Sequence, residues 1–160
     1  MAGDVVIERG DPRSPELSLL MARHTEAMHA DTPPESIHMM DAGQLAVPGI
    51  LFWVLRDGPA GSGQPVGMAA LKLFGAAEGE IKSMHVLAET RGRGLARVLL
   101  RHLLAEARAL GLARISLETG SQPSFAAARA LYESEGFFVC PPFGSYAPDP
   151  MSTFMTRALG

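Results

Sequence analysis

The sequence predicts an α+β fold of three layers: a mixed, mostly antiparallel central sheet flanked by helices. Three observations carry this expectation. Three strand-like runs follow one another between residues 51 and 87 across short, turn-rich links, as in an antiparallel meander. The apolar spacing then becomes helical over residues 94–110 and strand-like again over 113–119, which sets a strand–helix–strand unit at the centre. The composition, 47% hydrophobic and 19% charged over 160 residues, suits one globular domain spanning residues 1–160.

The elements follow in order. Residues 5–9 are short and partly β-branched, a first strand. Ser14-Pro15-Glu16 reads as a helix start, with Ser14 as N-cap and Pro15 in the first turn. Leu17, Leu20, Met21, His24 and Met28 then form one apolar face, and residues 31–34 stop the helix. Residues 35–45 are either a short helix or an ordered loop. Strands are expected over 51–56, 66–74 and 80–87. In the long helix, Leu95, Leu99, Leu103 and Leu110 are apolar while Arg97, Arg101 and Arg108 are polar, and Gly111 is its C-terminal glycine. Residues 124–135 form an Ala-rich helix closed by Gly136. Strands over 137–140 and 152–157 end the chain around a Pro/Gly loop.

Composition also excludes function classes. A net charge of −3 argues against a general nucleic-acid binder. Cys140 is the one cysteine, so neither an intrachain disulfide nor a thiolate metal cluster is expected. The five histidines lack metal-ligand spacing. The longest apolar run, residues 45–55, is broken by Pro48 and Gly49 and falls short of the ~20 residues of a spanning helix. Met1-Ala2-Gly3-Asp4 is not a signal-peptide start, so a cytoplasmic protein without membrane or nucleic-acid partners is expected.

Arg91-Gly92-Arg93-Gly94-Leu95-Ala96 follows a strand and opens a helix. Glycines there let the backbone approach a ligand, and free N–H groups of the first helical turn point at an anion. Arg91 and Arg93 add charge beside the same place. A pyrophosphate cradle and a solvated turn fit these residues equally well. A dinucleotide fingerprint would need glycine where Arg97 stands, although Glu118 at the end of the next strand suits it, and a Walker loop would need Gly-Lys-Ser/Thr.

The same run resembles the Gln/Arg-x-x-Gly-x-Gly/Ala motif of the GNAT superfamily of N-acetyltransferases. Leu131-Tyr132-Glu133-Ser134-Glu135-Gly136-Phe137 is similar to that family's Leu-Tyr-x-x-x-Gly-Phe, and the order of expected elements matches end to end. More narrowly, Glu80-Ile81-Lys82-Ser83-Met84, Leu117-Glu118-Thr119-Gly120-Ser121, and Pro142-Phe143 with Ser152-Thr153-Phe154-Met155-Thr156 resemble YsnE-type acetyltransferases.

The resemblance implies a GNAT-like sheet with splayed strands at an acyl-CoA site. It also implies acetyl-CoA as co-substrate without a metal, and direct transfer to a primary amine of a small or amino-acid-like acceptor. A homodimer is a possible assembly. Met84, His85 and Val86 would offer backbone groups to the cofactor, and Arg91, Gly92, Arg93, Gly94, Leu95 and Ala96 would hold its pyrophosphate. Many relatives carry Asn seven residues before the tyrosine, where this chain has Phe125, so apolar contact there would replace a polar one.

The resemblance makes Tyr132 the candidate general acid, against a core aromatic. It makes Glu80, eleven residues before Arg91, the candidate general base, against an ordinary strand-end carboxylate or a water chain. Ser36, His38 and Tyr146 are weaker candidates for the acceptor pocket. His38 is by default structural and Tyr146 a loop tip. A non-catalytic acyl-CoA-binding module is the alternative function.

Overall fold

A computed structural model describes residues 5–159; the question of a signal peptide falls on residues 1–4, outside them. Seven strands form one sheet: β1 (Val5–Arg9), β2 (Ile50–Asp57), β3 (Gln64–Phe74), β4 (Glu78–Val86), β5 (Arg114–Gly120), β6 (Phe138–Val139) and β7 (Ser152–Ala158). Their spatial order is β1-β2-β3-β4-β5-β7-β6. β4 and β5 pair parallel, and every other neighbouring pair is antiparallel. The expected mixed sheet and its central strand–helix–strand crossover are therefore present. The helices are α1 (Ser18–Ala30), α2 (Ala42–Leu45), α3 (Leu95–Ala109) and α4 (Ala126–Ser134).

Alternation divides the sheet's two faces. Leu71, Ile81, Ile115, Leu117 and Met155 are buried in the core. α3, buried through Leu95, Leu99, Leu100, Leu103 and Leu104, packs on β3 and β4. The register sets Lys72 opposite Glu80 and Glu80 opposite Ser116. Lys72, Glu80, Lys82, Ser116 and Glu118 therefore share the other face, a polar ladder across three strands.

Several boundaries differ from expectation. Ser14 does not cap a helix with its side chain. Pro15–Leu17 is a 3-10 turn, closed by Leu17 N–H donating to Ser14 O at 3.0 Å, and α1 begins at Ser18. Pro123–Phe125 likewise forms a 3-10 turn ahead of α4. The ambiguous stretch resolves into a 3-10 turn, Pro34–Ser36, and the short α2. Asp41 and Gln44 cap α2 reciprocally, at 2.7 and 2.9 Å. That capping box was readable as Asp-x-x-Gln. α3 stops before Leu110, which is exposed. Gly111, with φ 75°, donates to Arg108 O at 3.0 Å and Leu112 to Ala107 O at 3.1 Å, a Schellman closure.

Candidate active site

The site begins with a fault in the sheet. Lys82 pairs with Ala70 and His85 with Met68, so Ser83 and Met84 oppose the single residue between. This is a β-bulge, and Ser83 takes φ 54° within it, a left-handed conformation unusual for a residue with a Cβ. The Ser83 hydroxyl is buried without a hydrogen-bond partner. The bulge bends β4 away from β5. Their parallel pairing covers only Glu78–Ile81 with Arg114–Leu117. Beyond that point β4 stays with β3, β5 stays with β7, and a cleft opens between them.

One side of the cleft is a groove of about 640 Å³. Met84, His85 and Val86 line it from β4; Arg91, Gly92, Gly94, Leu95 and Ala96 from the loop and first turn of α3; Phe125 and Leu131 from the far wall. Gly92 and Gly94 have φ 88° and 72°, and a Cβ built on either would meet only open space. No side chain caps α3, and the first backbone hydrogen bond closing the turn is Val98 N–H to Gly94 O. The N–H groups of Leu95, Ala96 and Arg97 are thus left for an anion.

Arg93 departs from expectation. Its guanidinium holds Asp57 at the end of β2, at 2.9 Å, and does not line the groove. The guanidinium holds the Asp57 carboxyl below the ordinary carboxylate range. Arg91 does line the groove.

The other side is a chamber of about 160 Å³ on the sheet's polar face. Glu80 is 5% exposed. Its Oε2 accepts from the Tyr146 hydroxyl at 2.5 Å and lies 3.4 Å from Lys82 Nζ. Lys82 also donates to the Tyr146 hydroxyl at 2.7 Å and to the His38 carbonyl at 2.9 Å. Tyr146 is therefore no loop tip. Burial, reinforced by its bond to Glu80, pushes its phenol well up. Glu118 lines the same chamber, and burial raises its carboxyl. Ser152, His38 and Lys82 pull it back by less. The Ser152 hydroxyl is buried with no hydrogen bond of normal geometry, so its help is that of a nearby dipole rather than a full bond.

His24 and His85 meet edge to face, ring centroids 5.3 Å apart, at the chamber's opposite wall. Burial pushes His24 down to about 4 and His85 in the same direction, so both stay neutral near pH 7.

Groove and chamber share Ala27, Met84, His85, Phe125, Ala128 and Tyr132. Tyr132 sits at this junction, 8% exposed, and burial pushes its phenol up to about 12. Phe137 packs edge-on to its ring at 5.8 Å and donates its backbone N–H to the Tyr132 carbonyl at 3.0 Å. One turn further, Glu135 binds Arg97 at 3.0 Å and Arg101 at 2.6 Å, which ties the end of α4 to α3. Phe125, another ring at the junction, lies against Gly120, where a Cβ would come within 2.3 Å of it.

Of the expected site residues, Tyr132, Glu80, His38, Tyr146, Phe125 and the β4 and loop residues other than Arg93 line the two cavities. Ser36 does not: it is buried in its turn, and its hydroxyl holds the Asp149 carboxyl below the ordinary range. Sequence reasoning missed Lys82, His24 and Glu118 as site residues. For Lys82 the signal was parity with Glu80 on one strand. For Glu118 the signal was its place in the Leu117-Glu118-Thr119-Gly120-Ser121 stretch of the YsnE-type resemblance and at the end of a strand, neither of which assigns it a role. Among the described residues there is no group of three or more His, Cys, Asp or Glu placed to hold a metal, and no helix is long and apolar enough to cross a membrane.

Comparison with known proteins agrees with this geometry. Residues 18–137 match the model of the acetyltransferase (GNAT) family. The chain is 44% identical over 140 residues to the uncharacterized N-acetyltransferase YsnE of Bacillus subtilis (strain 168), covering 88% of this chain and 90% of that one. It is 39% identical over 153 residues to the uncharacterized N-acetyltransferase YedL of Escherichia coli (strain K12), covering 96% and 94%. The fold also matches that of a GNAT family acetyltransferase from Elizabethkingia anophelis with acetyl-CoA bound, at TM-score 0.67 and 16% identity over 97% of this chain and 98% of that one.

Proposed function

The chain belongs to the acetyltransferase (GNAT) family, and from that premise we propose that it is a cytoplasmic N-acetyltransferase using acetyl-CoA to acetylate a primary amine by direct transfer. The acceptor is a small molecule or amino-acid-like. The observation that supports a reaction over mere binding is the junction: Tyr132 stands where the groove and the chamber meet. A non-catalytic acyl-CoA binder would need the groove but no charged chamber.

Acetyl-CoA, when bound, supplies an acetyl group activated as a thioester. Gly92, Gly94 and the free N–H groups of Leu95, Ala96 and Arg97 would hold its phosphates, with Arg91 beside them. Met84, His85 and Val86, bent out by the bulge, would present backbone groups to the acyl end. Phe125 and Leu131 exclude water from the opposite wall. Tyr132 remains protonated across the working range and would give its proton to the departing sulfur. The proton of the incoming amine goes to a carboxylate of the chamber, where Glu80 and Glu118 both stand.

The test has two parts. Acetyl-CoA at ~100 times its dissociation constant is expected to add ~2.7 kcal/mol to stability, read as a raised melting temperature. A panel of amines, amino acids and peptides is then expected to show acetyl-CoA-dependent release of free CoA for at least one class. No protection by millimolar acetyl-CoA would remove the reading altogether. Protection without turnover across the panel would favour the binding module.

A further inference from the structure

The chamber holds two carboxylates, Glu80 and Glu118, and one ammonium, Lys82. Glu80 already has its charge matched: Lys82 lies 3.4 Å from its Oε2, and Tyr146 donates to the same oxygen. Glu118 has no such match. Among the described residues no cation forms an ion pair with it. The groups that face it are Glu80 and Lys82 from β4, His38 from the segment after α1, Tyr146 from the loop before β7, and Ser152 at the start of β7. Lys82 acts on it only at a distance, because that ammonium is committed to Glu80, Tyr146 and the His38 carbonyl. A half-buried carboxylate without a counter-charge is costly. The cost is relieved when a cation occupies the same chamber.

Resting on the amine-acetylating reading above, we propose that Glu118 is the carboxylate that holds the acceptor's ammonium and takes its proton, and that Glu80 is a positioning residue that keeps Lys82 and Tyr146 in place. In that step one N–H bond of the acceptor breaks and an O–H bond forms on the Glu118 carboxylate. The electron pair stays on nitrogen, which becomes the nucleophile, and the proton later leaves Glu118 for solvent. Burial that raises this carboxyl makes it a better base than an exposed one. The substrate class narrows accordingly, to a basic aliphatic amine that is cationic at neutral pH and small enough at its reacting end for a chamber of about 160 Å³. Alcohols and uncharged aryl amines lack the charge that Glu118 answers.

The test uses the full chain labelled with 13C at the glutamate δ-carbons, with Glu80 and Glu118 assigned through E80Q and E118Q. Ethylammonium chloride is the probe and ethanol the control. Ethylammonium is expected to shift the Glu118 signal saturably in the millimolar range, in wild type and in E80Q, and ethanol is expected not to. A saturable shift at Glu80 instead, or only a linear drift at both, overturns the proposal.

With any amine that turns over, E118Q is expected to lower kcat/KM about 10²–10⁴-fold and to flatten the acid limb of the pH profile. E80Q is expected to raise acceptor KM and keep that limb. An acid limb unchanged in E118Q overturns the proposal. If wild type acetylates no amine, it is the functional reading that fails, and the ethylammonium titration still decides whether Glu118 is the cation site.

Discussion

The Tyr146 hydroxyl donates to Glu80 Oε2 at 2.5 Å, joining a loop near the chain's end to the first half of the central strand β4. Together with Lys82 and His38 they form a partition. On one side is the chamber that reaches Tyr132; on the other is an outer space of about 440 Å³ walled by Lys72, Phe74 and Phe143. Tyr146 is fixed in that wall by Phe143, Phe154 and His38, at 5.2, 5.3 and 5.3 Å between ring centroids.

Tyr146→Phe keeps those ring contacts and removes the bond to Glu80. Bonds to charged groups are worth about 1.5–3 kcal/mol, so unfolding free energy is expected to fall by that order. Acceptor KM should rise severalfold while acetyl-CoA affinity stays put. Chemical denaturation and bisubstrate kinetics check both. An acceptor KM that does not move would separate the partition from acceptor binding.

Tyr132→Phe keeps the ring packed on Phe137 and removes only the proton donor. The expected loss is about 10²–10⁴-fold in kcat, with acetyl-CoA binding and melting temperature close to wild type. Full turnover in this variant would mean that the departing sulfur takes its proton from another source.

Gly120→Ala places a methyl group where the Phe125 ring lies, 2.3 Å from the nearest ring carbon. The ring and the Gln122 side-chain oxygen, 2.5 Å from the same methyl, must both give way, which disturbs the groove wall that Phe125 forms. Acetyl-CoA affinity is expected to fall at least tenfold, measured by calorimetry, with secondary structure retained by circular dichroism. A further swap, Phe125→Ala in the Gly120→Ala background, should recover part of the loss by removing the clash.

Gly94→Val acts differently. The position has φ 72° and open space around it, so strain comes from the backbone and a side chain would fill the place of an anion. Acetyl-CoA affinity is expected to drop well over tenfold while the apo protein loses only about 1–2 kcal/mol of stability. Unchanged affinity in the folded variant would put the phosphates elsewhere.

Stability should fall as the solution is acidified, through His24. Its ring is held near 4 in the fold and titrates near 6.5 when unfolded. Below 6.5 the unfolded chain takes up a proton that the folded chain refuses. The loss therefore starts near pH 6.5, grows as pH falls and levels off near pH 4, reaching about 3 kcal/mol. His85 adds in the same direction. Melting temperatures from pH 7.5 to 4 are expected to fall less steeply in His24→Gln than in wild type. Parallel curves would show that His24 titrates normally.

The sequence by itself determined the class of the fold, the glycine-rich turn that opens α3, and the place of Tyr132. These are local properties: a period of two or of 3.6, a turn that demands φ above zero, a motif of seven residues. The tertiary structure alone decided which charges meet. Arg93 left the groove because Asp57, at the end of β2, lay within reach of its guanidinium. Tyr146 entered the site because Glu80, sixty-six residues earlier, faced its loop. Glu118 became part of the chamber because β4 and β5 part after four paired residues, and the bulge at Ser83 that bends β4 leaves no mark in the periodicity of the chain. Side-chain pairing across strands depends on register and splay, which arise from packing over distance, and no window of neighbouring residues contains them.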